Sequence, residues 1–230
     1  MDIGKSKAAF YFPDVLYSNA LSGRIALNTT ELLVLRKTAY KESSFIISGL
    51  SAEYGKLDFM VKGARQVSRK KFPVIDLFRE ISVQFNKKKS GLQALYSVEL
   101  VSSHDGISSI PENFISACDL SSFILLNLHP MIECHVLYTA FKTALNRMSS
   151  EKSSVPWPAL VKLAFLEENG FLPEKDFGDG KEKLLERLIA AAAGKIEAPS
   201  LSPEYWARLA RWIDSLCDYH DLKRGTYRPV

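Results

Sequence analysis

Five short apolar runs follow one another in the first half of the chain, and they constrain the fold more than any other feature. They span residues 31–37, 43–51, 56–63, 78–86 and 92–102. In the third run Leu57, Phe59 and Val61 alternate with polar residues or Met, which is typical of a strand with one buried face. Turn-forming residues separate the runs, as at 53–55 and 87–91. Five short antiparallel strands are too few for an immunoglobulin sandwich and predict a small closed β-barrel.

The second half of the chain has a helical period instead. The predicted helices cover residues 114–128, 131–148, 157–169 and 181–193, and a fifth begins at Pro203. One stripe of the second helix contains Leu137, Phe141, Leu145 and Met148. Ser202 is the expected N-cap of the fifth helix, whose apolar face would contain Tyr205, Leu209, Trp212, Ile213 and Leu216. The pattern predicts an N-terminal extension over residues 1–30, a barrel domain over 31–105 and an all-α domain over 106–230.

Composition indicates a cytoplasmic protein that does not enter a membrane. Of the 230 residues 47% are hydrophobic and 24% are charged, which is an ordinary balance for a globular chain. There is no apolar run of membrane-spanning length, and the N-terminus has no continuous apolar signal region. The three cysteines are far apart, so they predict buried free thiols and not a disulfide framework or a zinc site.

Motifs for catalysis are missing from the sequence. It has no phosphate-binding G-x-x-x-x-G-K-[ST], no dinucleotide-binding G-x-G-x-x-G and no metalloprotease H-E-x-x-H. The segment HPMIECH brings His129, Glu133, Cys134 and His135 close in sequence. On a helix only His129 and Glu133 could share a face, so this is a weak metal or nucleophile site. We therefore expect a protein that is not an enzyme and binds no cofactor.

Positive charge is concentrated in the predicted barrel. Residues 31–105 carry 13 Lys and Arg against 8 Asp and Glu, whereas residues 106–230 carry 14 against 16. Such asymmetry favours a polyanionic partner, because phosphates are bound by clustered cations. The candidate contacts are Arg36, Lys37, Lys62, Arg65, Arg69, Lys70, Lys71, Lys87, Lys88 and Lys89. The lysine triplet 87–89 fits a solvated hairpin tip equally well.

Flat side chains near these cations could stack on unpaired bases. Tyr40 and Tyr54 lie at predicted strand ends, where a ring can remain open to a ligand. Phe59 alternates with Leu57 and Val61, so we expect it to lie in the core. The residue types together predict a barrel that binds nucleic acid.

Several motifs in the barrel region point to a known family. Residues 32–65 contain Y-K-E-S-S at 40–44, E-Y-G at 53–55 and K-G-A-R at 62–65. In order and spacing these elements resemble the N-terminal domain of the bacterial recombination mediator family RecO, whose members are DNA repair proteins. Residues 91–103 are similar to that domain's last strand.

Two later stretches, 166–174 and 217–230, resemble segments of the family's helical domain more loosely. Many family members carry a four-cysteine zinc site, but the equivalent span here, 173–202, has no cysteine. The resemblance therefore implies no metal in this chain. It also implies that Gly55 has a positive φ, that Gly63 bends the backbone, and that Glu42 and Ser43 fix a loop.

The fold that the resemblance implies is a β-barrel of the OB-fold class followed by an all-α helical domain. Family members bind single- and double-stranded DNA, anneal strands and help to load the recombinase RecA onto DNA covered by single-strand binding protein, with RecR as partner. This implies a role in recombination after DNA damage at the nucleoid, with Lys62, Arg65 and the basic residues after them as DNA contacts. Two alternatives are an RNA-binding OB-fold protein and a protein-interaction scaffold, and salt dependence would separate the scaffold from a phosphate-binding protein.

Overall fold

The chain divides into two compact units. The computed structural model describes residues 10–11, 27–42, 44–62, 74–88, 91–150, 154–173 and 179–225. The barrel unit contains residues up to Ser103 together with His129–Glu133, and the helical unit contains His104–Leu128 and the residues from Cys134 onward. Within the part of the chain that the structure describes, no helix has both the length and the apolar character needed to cross a membrane.

The barrel unit is a closed barrel of five strands with a short sixth strand at its side. The strands are β1 (Phe10–Tyr11), β2 (Asn28–Tyr40), β3 (Ser44–Ser51), β4 (Gly55–Val61), β5 (Arg79–Asn86) and β6 (Gln93–Ser103). Strands β2, β3 and β4 form an antiparallel meander, β4 lies parallel to β6, and β5 pairs with both β6 and β2. This pairing closes the ring, and the predicted OB-fold barrel is confirmed.

The barrel begins earlier than the apolar pattern predicts. Residues Asn28, Thr29 and Thr30 pair with β5, and the Thr30 hydroxyl lies 2.7 Å from the Ser51 hydroxyl. This first part of β2 is held by ladder hydrogen bonds and polar side chains, which hydrophobic alternation does not detect. Strand β1 adds to the outer edge of β6, where Phe10 is opposite Val98.

The core of the barrel follows the predicted alternation. Leu57, Phe59 and Val61 point inward from β4 and are buried, as expected. Phe85 on β5 meets the Phe59 ring edge-on, with 5.5 Å between the ring centroids. Burying each of these large side chains contributes about 1.5–3 kcal/mol, so the inward face of β4 is a major source of the barrel's stability.

A tight turn at Gly55 connects β3 to β4 and depends on glycine. Its φ is +59°, which confirms the expected left-handed conformation. The segment 129–133 packs on this turn: Pro130 bridges to Gly55, and the Met131 amide donates to the Tyr54 carbonyl over 2.8 Å. A Cβ at Gly55 would overlap the carbonyl oxygen of Ile132. The second predicted helix therefore does not start at Met131: this residue lies in a turn with a φ of +64°, and the helix begins at His135.

We expect Gly55→Ala to destabilise the barrel by about 2 kcal/mol or more, from left-handed strain and displacement of the Ile132 carbonyl. All three tryptophans lie outside the barrel unit, so amide hydrogen exchange of β3 and β4 is the suitable measurement. The matched control is Gly91→Ala, since Gly91 also has a positive φ but has open space around it. Equal effects of the two changes would contradict the role of the packed turn.

The helical unit contains the five predicted helices after a 3-10 turn at Asp105–Ser109. They are α1 (Pro111–Asn127), α2 (His135–Ser150), α3 (Trp157–Glu168), α4 (Asp179–Ala192) and α5 (Pro203–Tyr219). The predicted α2 stripe from Leu137 to Met148 is buried. The amides of Val136 and Leu137 donate to the two carboxylate oxygens of Glu168, each over 2.9 Å. Glu168 thus caps α2 from the end of α3 and satisfies amides that a helix start leaves unpaired.

The cysteines are buried within the helical unit, as predicted. Cys118 and Cys217 are free thiols, and Cys134 is buried as they are. Burial raises the pKa of Cys118 and of Cys217 to about 11. These two thiols stay protonated at neutral pH, and the thiolate is the reactive form, so both are suited to packing.

Candidate nucleic-acid interface

One outward surface of the barrel, formed by β2, β3 and β4, brings several predicted contact residues together. In the strand ladders Arg36 is opposite Ser48 and Ser48 is opposite Asp58, while Thr38, Ile46 and Met60 form the next row. Directly opposed residues of neighbouring strands point to the same side of a sheet. Tyr40 and Ser44 continue the surface, and Lys62 follows the end of β4. We call this surface the barrel face: Arg36, Thr38, Tyr40, Ser44, Ile46, Ser48, Asp58, Met60 and Lys62.

The barrel face has a cation on each side of a pair of apolar side chains. Arg36 and Lys62 are exposed, whereas Ile46 and Met60 between them are half-buried. Tyr40 is also half-buried, and the Lys41 ammonium lies 5.5 Å from the centroid of its ring. Cations can contact phosphates while flat or apolar side chains contact bases, and single-stranded nucleic acid is bound by surfaces of this kind.

A β-bulge decides which of two adjacent cations belongs to the barrel face. Val34 points inward, and a regular strand would also turn Arg36 inward and Lys37 outward. The register of β2 against β3 shifts between Val34 and Arg36. The extra residue, Leu35, reverses the alternation, so Arg36 reaches the barrel face and Lys37 points to the opposite side.

Lys37 is held by the segment that precedes β5. Its ammonium donates to the Ile75 carbonyl over 3.0 Å and lies 3.5 Å from a carboxylate oxygen of Asp76. It also lies 5.0 Å from the centroid of the Phe45 ring. The structure therefore does not bring Lys37 to the barrel face, and its predicted DNA contact stays a prediction.

The lysine-rich loop between β5 and β6 is organised by a buried amide. The Gln93 side chain accepts from the Lys88 amide over 2.8 Å and donates to the carbonyls of Lys88 and Gly91 over 3.3 Å. Gln93 is almost fully buried, and Gly91 has a φ of +79°. The Lys88 ammonium lies 3.5 Å from the Leu92 carbonyl oxygen. Sequence reasoning missed Gln93, because a single glutamine in a strand carries no recognisable signal.

Tyr54 has a different environment from the one expected of an open stacking platform. The Lys87 ammonium lies over its ring, 4.9 Å from the centroid. Its hydroxyl donates to Asn28 over 3.3 Å, and the ring meets Phe85 edge-on. Lys87 and Tyr54 thus form one packed pair near the start of β2, apart from the residues of the barrel face.

The remaining predicted residues can be placed only in part. Arg65, Arg69, Lys70, Lys71 and Lys89 lie outside the described residues, as do Ser43 and Gly63. Arg36, Tyr40 and Lys62 are the predicted contacts that the barrel face brings together. Thr38, Ile46, Asp58 and Met60 were not predicted, although the inward alternation of Leu57, Phe59 and Val61 would have placed Asp58 and Met60 outward.

The HPMIECH segment is divided between the two units. Residues His129–Glu133 belong to the barrel unit, whereas Cys134 is buried in the helical unit and His135 starts α2. In the described ranges of the chain, no group of three histidine, cysteine or acidic residues could hold a metal ion.

The helical unit has an apolar groove between α4 and α5. Its volume is about 400 Å³, and it is lined by Lys181, Leu184, Leu185, Leu188, Tyr205, Arg208, Leu209 and Trp212. The predicted apolar face of α5 is covered only in part: Ile213 is buried, whereas Tyr205, Leu209 and Trp212 are half-exposed in this groove. The Arg208 guanidinium lies 5.2 Å from the Tyr205 ring centroid and adds charge to its rim.

Comparison with known proteins adds to this geometry. Residues 26–104 match the family described as Recombination protein O N terminal, which covers the whole closed barrel. Over these residues the chain is similar to the N-terminal domain of the RecO family.

Similarity to individual members extends beyond the barrel. The DNA repair protein RecO of Aliivibrio salmonicida is 26% identical over 172 residues, and that of Aliivibrio fischeri is 28% identical over 174 residues. Both comparisons cover 75% of this chain and 66% of the RecO relative. The DNA repair protein RecO of Geobacter metallireducens is 32% identical over 78 residues, which are 34% of this chain and 32% of that protein.

The adjacent cations Arg36 and Lys37 should respond differently to mutation. Lys37→Met keeps an unbranched side chain but removes the ammonium that holds Ile75 and Asp76, so we expect a loss of about 1 kcal/mol in the stability of the barrel. Arg36→Met should change stability by less than about 0.5 kcal/mol, because Arg36 is exposed. Amide hydrogen exchange of β2 and β5 measures the stability change in both variants. A larger loss of stability in Arg36→Met than in Lys37→Met would refute the orientations that the bulge gives these two side chains.

Proposed function

We propose that this chain is a recombination mediator in DNA repair that binds single-stranded DNA on the barrel face. The observation that carries the proposal is the apolar pair Ile46 and Met60 between the exposed cations Arg36 and Lys62 on β2, β3 and β4. In OB-folds the surface of the second and third barrel strands, here β3 and β4, is where oligonucleotides bind. Similarity to the RecO family supports the repair role, since the relatives that the chain resembles are named DNA repair proteins.

The spacing of the barrel face suits an unpaired strand. Neighbouring strands lie about 4.8 Å apart and outward residues along one strand about 6.6 Å apart. Arg36 on β2 and Lys62 after β4 thus lie on opposite margins of a surface about two strand spacings wide. A single strand can place phosphates on these margins and turn bases toward Ile46 and Met60. Duplex DNA would engage only the cations, because its bases are stacked inside.

The further activities that we propose for the chain are those of the RecO family. We assign to the chain the binding of single- and double-stranded DNA, strand annealing, and loading of the recombinase RecA together with RecR and single-strand binding protein. Binding at the barrel face supplies the DNA contact that each of these activities requires. The site of action would be the nucleoid.

The proposal is tested by fluorescence anisotropy with single-stranded DNA, duplex DNA and single-stranded RNA across a salt series. We expect Arg36→Ala combined with Lys62→Ala to weaken single-stranded DNA binding at least tenfold, at low salt. Loss of two phosphate contacts should also reduce the slope of log affinity against log salt by about 1.4. Tighter binding of RNA than of DNA would favour the RNA-binding alternative.

The matched control is Lys183→Ala combined with Arg187→Ala on α4, where both side chains are exposed. It removes the same charge from the helical unit and should leave most of the DNA affinity unchanged. Equal weakening by the two double variants would mean that general charge governs binding, and it would argue against a local site on the barrel face.

The groove between α4 and α5 favours a second candidate function, the docking of a protein partner. Its apolar walls suit apolar side chains of a peptide, and Lys181 with Arg208 suits an acidic one. Among the partners named in the proposed function, single-strand binding protein is the one that we propose for this groove. Unlike phosphate binding, apolar docking should change little with salt.

We expect Leu209→Asp to weaken binding of single-strand binding protein at least tenfold, because it places a carboxylate in the apolar wall of the groove. Affinity for single-stranded DNA should remain unchanged. Leu126→Asp on α1 is the control, since Leu126 is an exposed leucine that does not line the groove. Isothermal titration calorimetry measures the affinity for single-strand binding protein. An equal loss of this affinity in the two variants would exclude the groove as the binding site.

A further inference from the structure

Asp58 is the acidic side chain of the barrel face, and its position is unusual for a phosphate-binding surface. It lies at the β4 end of the row that begins with Arg36, and it is half-buried. The Ser48 hydroxyl donates a hydrogen bond to its Oδ1 atom. Oδ2 remains able to accept from a ligand, because an ionised carboxylate has several acceptor positions.

Charge determines which part of a nucleic acid can approach Asp58. A phosphate over the carboxylate would meet a like charge, whereas Arg36 and Lys62 at the margins attract it. A bound strand therefore has lower energy with its phosphates near Arg36 and Lys62 and its bases near Asp58. The row beside Asp58 contains Thr38, Ile46 and Met60, and its half-buried apolar side chains can support the flat face of a base.

The distance from this row to Asp58 matches the dimension of a base. The two rows are about 6.6 Å apart, since outward residues alternate along a strand. A base on Ile46 and Met60 would thus present its hydrogen-bonding edge to the carboxylate. Because a carboxylate only accepts hydrogen bonds, it selects edges that donate, such as the exocyclic amino group of cytosine.

We propose that Asp58 accepts a hydrogen bond from the exocyclic amino group of a base stacked on Ile46 and Met60, so that the barrel face prefers single strands with amino-bearing bases. Thymine and uracil present a carbonyl oxygen at the corresponding position and are disfavoured. The inference rests on the proposed binding of single-stranded DNA and adds a base preference to it.

A structural role of Asp58 makes a different prediction. If the carboxylate only holds Ser48, neutralising it alters the strand pair and changes the affinity for every sequence by the same factor. The ratio of affinities for two bases then stays constant. This ratio, and not the affinity alone, separates base recognition from support of the β3–β4 pair.

The experiment compares oligo(dC) with oligo(dU) of one length by fluorescence anisotropy at pH 8, where cytosine is neutral. Apart from the N3 proton, these strands differ only in the amino or carbonyl group at position 4. We expect wild type to bind oligo(dC) roughly tenfold more tightly, as one hydrogen bond to a charged group would give. Asp58→Asn should bring the ratio close to one, mainly by improving binding of oligo(dU).

Ser48→Ala is the companion variant, because it removes the hydroxyl and keeps the carboxylate. It should retain the preference for oligo(dC), and circular dichroism should show both variants folded. Equal binding of the two oligonucleotides by wild type, or a ratio that persists in Asp58→Asn, overturns the inference while DNA binding itself stands. If neither oligonucleotide binds at low salt, the proposed function fails together with the inference.

Discussion

Closure of the barrel through β5 is the constraint on which the rest of the barrel unit depends. This strand pairs with β2 on one side and with β6 on the other. Closure defines an inside and an outside for every strand, and the inside is filled by side chains such as Phe59 and Phe85. The outward positions of β2, β3 and β4 then become available for binding. The barrel face is therefore a consequence of packing the core, because each inward residue fixes its neighbours outward.

Sequence alternation predicts this arrangement well where the strand is regular. The inward set on β4 was read directly from Leu57, Phe59 and Val61, and the structure confirms it. On β2 the same method gives the wrong side for Arg36 and Lys37. The bulge at Leu35 reverses their orientation, and nothing in the local sequence marks it, since bulges depend on the pairing of two strands. Charge alone predicts both Arg36 and Lys37 as DNA contacts, whereas the register of β2 against β3 places them on opposite sides of the strand.

Periodicity has a similar limit in the helical unit. The stripe from Leu137 to Met148 was predicted as buried and is buried. The stripe of α5 looks equivalent in sequence, yet Tyr205, Leu209 and Trp212 are half-exposed in the groove beside α4. An apolar period shows that one side of a helix avoids water, but the amount of cover depends on the partner helix. The Glu168 cap of α2 depends on the same tertiary proximity, because its donors lie more than thirty residues away in the chain.

The charge of the barrel face sets the strength and the reversibility of the proposed DNA contact. Among the described residues, Arg36, Lys62 and the neighbouring Lys41 would contribute a salt slope of about 2 for a single strand, so a fourfold rise in salt weakens their contribution to binding by roughly 16-fold. Proteins with six to ten phosphate contacts lose a factor of about 10³–10⁵ over the same range. Asp58 reduces the net charge further. Such a contact holds a strand briefly and releases it, which suits the proposed transfer of DNA to a recombinase.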